Sequence, residues 1–104
     1  MAIIDVTVIP IGTDTPSVSS YVADLQHILK RHQDEGSIRF QLTPMNTIIE
    51  GELSKLLGVV QEIHEAPFQK GIKRVATNIR IDDRRDKEGT MEGKLSSVQR
   101  QLEK

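Results

Sequence analysis

Cysteine and tryptophan are absent from this chain, and its aromatic residues are Tyr21, Phe40 and Phe68 alone. Without cysteine there is no disulfide framework, no thiolate zinc site, no iron–sulfur ligation and no cysteine nucleophile. Apolar runs fall far short of the ~20 residues that a membrane span requires. The N-terminus lacks a basic flank followed by an apolar block, so no secretory leader is expected. An excess of one charge is also missing. Fourteen basic and 15 acidic residues leave a net charge of −1, with no broad attraction for nucleic acid or an anionic membrane. Three basic and seven acidic groups fall in residues 1–52, eleven and eight in residues 53–104. Such a split reflects which helix faces meet water more often than it reflects a partner. The expectation is a cytoplasmic protein with a single domain, 1–104, large enough at 104 residues to bury one core without staples.

Residues 3–11 alternate as a strand, with Ile4, Val6 and Val8 on one face and Asp5, Thr7, Ile9 and Ile11 on the other. Pro10, which has no backbone donor, suits the strand end. Gly12 to Pro16 reads as a loop, with Thr15 as helix cap and Pro16 as first helical residue. Val18, Tyr21, Val22, Leu25, Ile28 and Leu29 then recur at steps of three and four, forming one apolar stripe that ends near a capping Gly36. Ile38, Phe40 and Leu42 alternate as a second strand, Pro44 to Asn46 forms a turn, and Thr47 to Glu50 a third strand. A second helix is predicted from about Glu52 to Phe68, with Leu53, Leu56, Leu57, Val60, Ile63 and His64 on one side. Gly58 inside it costs about 1 kcal/mol against alanine, which suggests close packing there. A fourth strand follows from Lys73 to Ile81, then a charged loop from Asp82 to Glu88. Thr90 caps a last helix with the narrow stripe Met91, Leu95, Val98 and Leu102.

The order is β-α-β-β-α-β plus a final helix. It predicts an α+β, ferredoxin-like fold, in which a four-stranded antiparallel sheet carries two helices on one face and has an extra C-terminal helix. The other face, with Thr7, Ile9, Ile11, Asn78 and Arg80, is too apolar to be fully wetted and too polar for a dry core. Association through it or through strand edges is expected, with a pocket where that face meets a loop or another subunit.

Known chemical motifs are few. His27, His32 and His64 supply no metal-ligand set, and His64-Glu65 lacks the second histidine of a zinc-protease helix. The serines at 17, 19 and 20 have no Gly-x-Ser-x-Gly elbow, so helix-start bonding accounts for them. Gly12 to Thr15 lacks the glycine spacing and lysine of a phosphate loop. Asp82, Asp83 and Asp86 alternate with Arg84, Arg85 and Lys87. This is the pattern of a solvated, self-compensating turn, with a subunit contact or an anion-binding rim as the alternative.

Taken in order, several segments resemble a known family. They are Pro10-Ile11-Gly12-Thr13 with Ser17 to Val22, Thr47 to Gly51, Ile63-His64-Glu65, and Gly71 to Thr77 leading to Ile81 through Lys87. The set resembles the small thiamine-binding, YkoF-like proteins and spans almost the whole chain. The resemblance implies a ferredoxin-like subunit that assembles as a homodimer or homotetramer. It also implies binding of thiamine or its hydroxymethylpyrimidine precursor and does not imply catalysis; no cofactor or metal is expected.

Such a ligand pairs an aminopyrimidine, which needs matched donors and acceptors, with a cationic thiazolium. Its pocket should be largely apolar with a few placed polar groups. The candidates are Ile11 and Gly12 as wall and backbone, Ser19 and Thr47 as hydroxyls, Glu50 as carboxylate, His64 as a polar wall and Asn78 as an amide reader. They are expected to converge at one end of the sheet, on its uncovered face. Two other readings stay open: a cofactor-free enzyme of the small dimeric ferredoxin-like kind, which fold analogy alone supports, and a regulatory or assembly module that needs no ligand.

Overall fold

The computed structural model describes residues 1–87 and 89–104. Its elements are β1 (Ala2–Ile11), α1 (Ser19–Asp34), β2 (Ile38–Leu42), β3 (Thr47–Gly51), α2 (Leu53–Gln69), β4 (Arg74–Asp83) and α3 (Met91–Leu102). The strands form one sheet in the order β2-β3-β1-β4, and every neighbouring pair is antiparallel. Each of the two β-α-β units is therefore split by a strand of the other, as the ferredoxin-like order requires.

Register explains the core. Ile4 lies opposite Ile49 and Ile81, and Val6 opposite Thr47 and Ile79, so these side chains share the face that α1 and α2 cover. Leu25 and Leu29 of α1 meet Leu56, Val59, Val60 and Ile63 of α2 over Ile4, Val6, Ile38 and Ile49. Burying a side chain of this size stabilises the fold by roughly 1.5–3 kcal/mol relative to leaving it in water.

The chain departs from the sequence expectation in several places. Helix α1 starts at Ser19, with Val18 before it, rather than at Thr15 and Pro16. The Thr13 hydroxyl donates to the Thr15 carbonyl at 2.7 Å and the Thr15 hydroxyl to Ser17 at 3.4 Å, so both serve the loop rather than a helix end. Thr15 also precedes a proline, which disfavours helical backbone there. At the other end, Gly36 has φ +79°, with Gly36 N–H bonded to Gln33 and Ser37 N–H to His32. That pair of bonds closes the helix through the left-handed backbone glycine adopts without strain.

Gly58 is exposed, and a Cβ built on it would meet nothing within 4 Å, so the expected close packing is absent. Leu57 is also exposed, leaving the buried stripe of α2 to Leu56, Val59, Val60, Ile63 and Pro67. Strand β4 continues through Asp82 and Asp83, which the sequence places in the following loop. Of that loop's predicted span, Glu88 lies outside the described residues.

Helix α3 begins at its predicted cap, where the Thr90 hydroxyl accepts from Gly93 N–H at 2.9 Å. Only Met91 of its stripe is buried; Leu95, Val98 and Leu102 are 64%, 57% and 73% exposed. The helix reaches the sheet face opposite α1 and α2 at its first turn.

Candidate functional site

Topology gathers one set of residues at a single end of the sheet. Strand β1 finishes there, β3 and β4 begin there, and the helices contribute the start of α1 and the end of α2. Ile11, Gly12, Ser19, Thr47 and His64 all lie at this end. Gly12, with φ +88°, turns the chain away from β1. Ser19, the first residue of α1, is exposed and its hydroxyl shares a 3.3 Å hydrogen bond with that of Ser17; no side chain caps this helix start, so the helix-start bonding expected of the serines is not seen. His64 Nδ1 is 2.6 Å from Thr77 Oγ1, and its ring meets Phe68 edge-on at 5.7 Å. That sharing fixes the imidazole on the β4 side of α2.

The most enclosed space at this end is a cavity of about 200 Å³ beneath α1, on the helix-covered side of the sheet. The sequence reading looked instead to the uncovered face. Val6, Val8, Val22, Leu25 and Ile63 make it apolar, and the β2–β3 turn, Thr43 to Asn46, closes its mouth. Strand β3 starts only at Thr47, opposite Val6, so β1 beyond Val6 has no strand partner on that side. The Thr7–Ile9 backbone that lines the cavity is thus an open edge, with donors and acceptors available to a flat ligand.

Of the seven sequence candidates, Thr47 is the one that lines this cavity. It is 8% exposed, and its hydroxyl accepts a 3.3 Å hydrogen bond from Gln26 Nε2. Asn46 was legible only as a turn residue, yet it stands beside Thr47 in the lining. The Thr43 hydroxyl lies 2.5 Å from Asn46 Oδ1 and accepts from Asn46 N–H at 3.1 Å. Because Thr43 engages the amide oxygen, the Asn46 NH2 is left as a donor. The sequence signal for it was an asparagine that follows a proline turn and immediately precedes a strand threonine.

Glu50 and Asn78 lie on the opposite face. Glu50 is three residues from Thr47 on one strand, and an odd spacing points the two side chains to opposite sides. Its carboxylate is 1% exposed, accepts Met91 N–H at 2.8 Å, and sits 3.4 Å from Arg39 Nη1. Glu50 is therefore a buried anchor for the start of α3. Asn78 is exposed opposite Thr7.

Across the outer surface of the helices, Glu62 accepts from Arg31 and lies 2.5 Å from His32 Nε2. Partial burial pushes the Glu62 carboxyl up, but bonds from His32 and Arg31 and their charges prevail and hold it below its ordinary value. This cluster ties α1 to α2 and lies away from the cavity. Among the described residues, no group of three or more histidine, aspartate or glutamate side chains is placed to hold a metal ion, and no helix is long and apolar enough to cross a membrane.

Residues 4–99 match the family described as thiamine-binding protein. The UPF0045 protein YqgV of Bacillus subtilis is 70% identical over 103 residues, covering 99% of both chains. A UPF0045 protein of Staphylococcus xylosus is 60% identical, covering 98% of this chain and 95% of its own. The crystal structure of MJ1052 from Methanocaldococcus jannaschii superposes with a TM-score of 0.81 at 31% identity, covering 93% of this chain and 94% of that one. The chain belongs to the thiamine-binding protein family.

Proposed function

We propose that this protein is a non-enzymatic binder of thiamine or its hydroxymethylpyrimidine, with the pyrimidine ring held in the cavity beneath α1. The observation that carries this reading is the pairing of the Asn46 amide and the Thr47 hydroxyl with the open β1 edge inside an apolar lining. An aminopyrimidine needs a donor for its ring nitrogen and an acceptor for its amino group. Asn46 NH2 would supply the first, and the Thr47 hydroxyl or a β1 carbonyl the second.

Size supports a single ring. Drug-sized ligands occupy pockets of roughly 300–1,000 Å³, and this cavity holds about 200 Å³. The thiazolium would then sit at the mouth, beside Ile9 and Met45. Burying about 150 Å² of ring at ~25 cal/mol per Å² gives roughly 4 kcal/mol. Two neutral hydrogen bonds add roughly 1–3 kcal/mol. The total of about 5–7 kcal/mol corresponds to roughly 10–200 µM before the entropic cost of association is counted. A tighter site needs a further wall, which a second copy of the chain would provide. Self-association as a dimer or tetramer is supported by the exposed Leu95 and Leu102 of α3 together with Ile9 and Ile11 on the uncovered sheet face.

Calorimetric titration with thiamine and with hydroxymethylpyrimidine tests the assignment, with light scattering giving the assembly state. Saturable binding that weakens about tenfold in Thr47→Val and in Asn46→Ala is expected, since each removes one reader of the ring. No heat and no thermal shift at ~1 mM ligand would overturn the reading.

A further inference from the structure

A second concavity, of about 630 Å³, opens on the other side of the sheet. It lies between the start of β1, the end of β4 with its exit loop, and one face of α3. Met1, Ile3 and Val98 give it an apolar floor. Its described walls carry Arg84, Lys87, Lys94 and Arg100 against the single carboxylate of Asp82. In a chain whose net charge is −1, that is a local concentration of positive charge inside a recess, where low-dielectric walls focus the field. Gly93, which has no side chain, and Ser97, whose side chain is small, line the opening one helical turn apart, so a ligand can approach α3 closely.

The cations are held by weak, exchangeable partners. Arg84 forks onto Asp86 at 2.5 and 2.8 Å, Lys94 meets Asp82 at 2.6 Å, and Arg100 donates to the Ser97 hydroxyl at 3.1 Å. All of these side chains are exposed, and exposed pairs contribute at most ~1 kcal/mol. A phosphate ester carries nearly two negative charges at neutral pH and three acceptor oxygens, and it matches the guanidinium fork in shape. It therefore competes well for the same donors.

We infer that this cleft binds a small phosphate monoester with an apolar substituent, the phosphate held by Arg84, Lys94 and Arg100 and the substituent lying over Met1, Ile3 and Val98. The site is separate from the cavity beneath α1, with no lining residue in common.

Titration of the full chain with phenyl phosphate and, separately, with inorganic phosphate at constant ionic strength tests the inference. Phenyl phosphate should bind saturably with Kd at or below ~1 mM, and inorganic phosphate several-fold more weakly because it leaves the apolar floor uncovered. The pair Arg84→Gln/Arg100→Gln should weaken phenyl phosphate at least tenfold while leaving the melting temperature and the response to thiamine unchanged. Ser97→Leu, which fills the cleft without altering charge, should also block it. Absence of saturable heat, equal affinity for the two phosphates, or full-strength binding in both variants would each overturn the assignment.

Discussion

Replacing Glu50 by alanine should release α3 while leaving the sheet and the other two helices folded. The Glu50 carboxylate is 1% exposed and accepts the N–H of Met91, the first residue of α3, at 2.8 Å. Hydrogen bonds to charged groups contribute roughly 1.5–3 kcal/mol, and a buried donor left without its acceptor loses a comparable amount. Little else holds the helix down: Met91 is its one buried residue, and the ion pairs Arg39–Glu92 and Lys94–Asp82 are exposed. The loss should therefore appear as local opening of α3, with the core transition less affected. Hydrogen exchange across residues 91–102 should speed up by roughly tenfold to a hundredfold, which is 1.5–3 kcal/mol expressed as an opening constant. Glu50→Gln keeps one acceptor oxygen and loses the charge, so its effect should be smaller. Unchanged exchange in α3 with Glu50→Ala, or exchange that rises equally throughout the core, would refute this account of the anchor.

Gly58→Ala should stabilise the fold by roughly 0.5–1 kcal/mol in urea melts, because the position is helical and exposed and a Cβ there meets nothing within 4 Å. Glu62→Gln should weaken the α1–α2 bridge by about 1 kcal/mol or less, given its partial exposure. Because the folded carboxyl is held below its ordinary value of 4.5, that contribution is present above the unfolded value and is lost as pH falls through the folded one. Stability curves of the wild type and Glu62→Gln should therefore differ at pH 7 and converge in acid. A constant gap would assign the effect to packing.

The sheet order was legible because Ile4, Val6 and Val8 alternate cleanly and the stripes of α1 and α2 recur at helical spacing, so local periodicity was enough. The start of α1 was missed because threonine hydroxyls can bond loop carbonyls as readily as helix N–H groups, and Thr15 and Thr13 do the former. Gly58 misled because a helical glycine is equally compatible with a crowded and an open surface. For the candidate site, residue spacing on β3 is itself informative. Thr47 and Glu50 stand an odd number of positions apart on one strand, so they cannot both face one ligand. What no local pattern contained was the partner of Glu50, since Met91 lies 41 residues further along. The cavity beneath α1 was likewise hidden, because it depends on where β3 stops alongside β1.

Helix α3 hangs from the rest of the molecule by its first turn, and none of its residues belongs to the main apolar cluster. Mutation can therefore redraw the outward side of this appendage, changing what it meets, while the folding of the first eighty or so residues proceeds undisturbed. Descendants of one scaffold can in this way diversify their neighbours without renegotiating their interior.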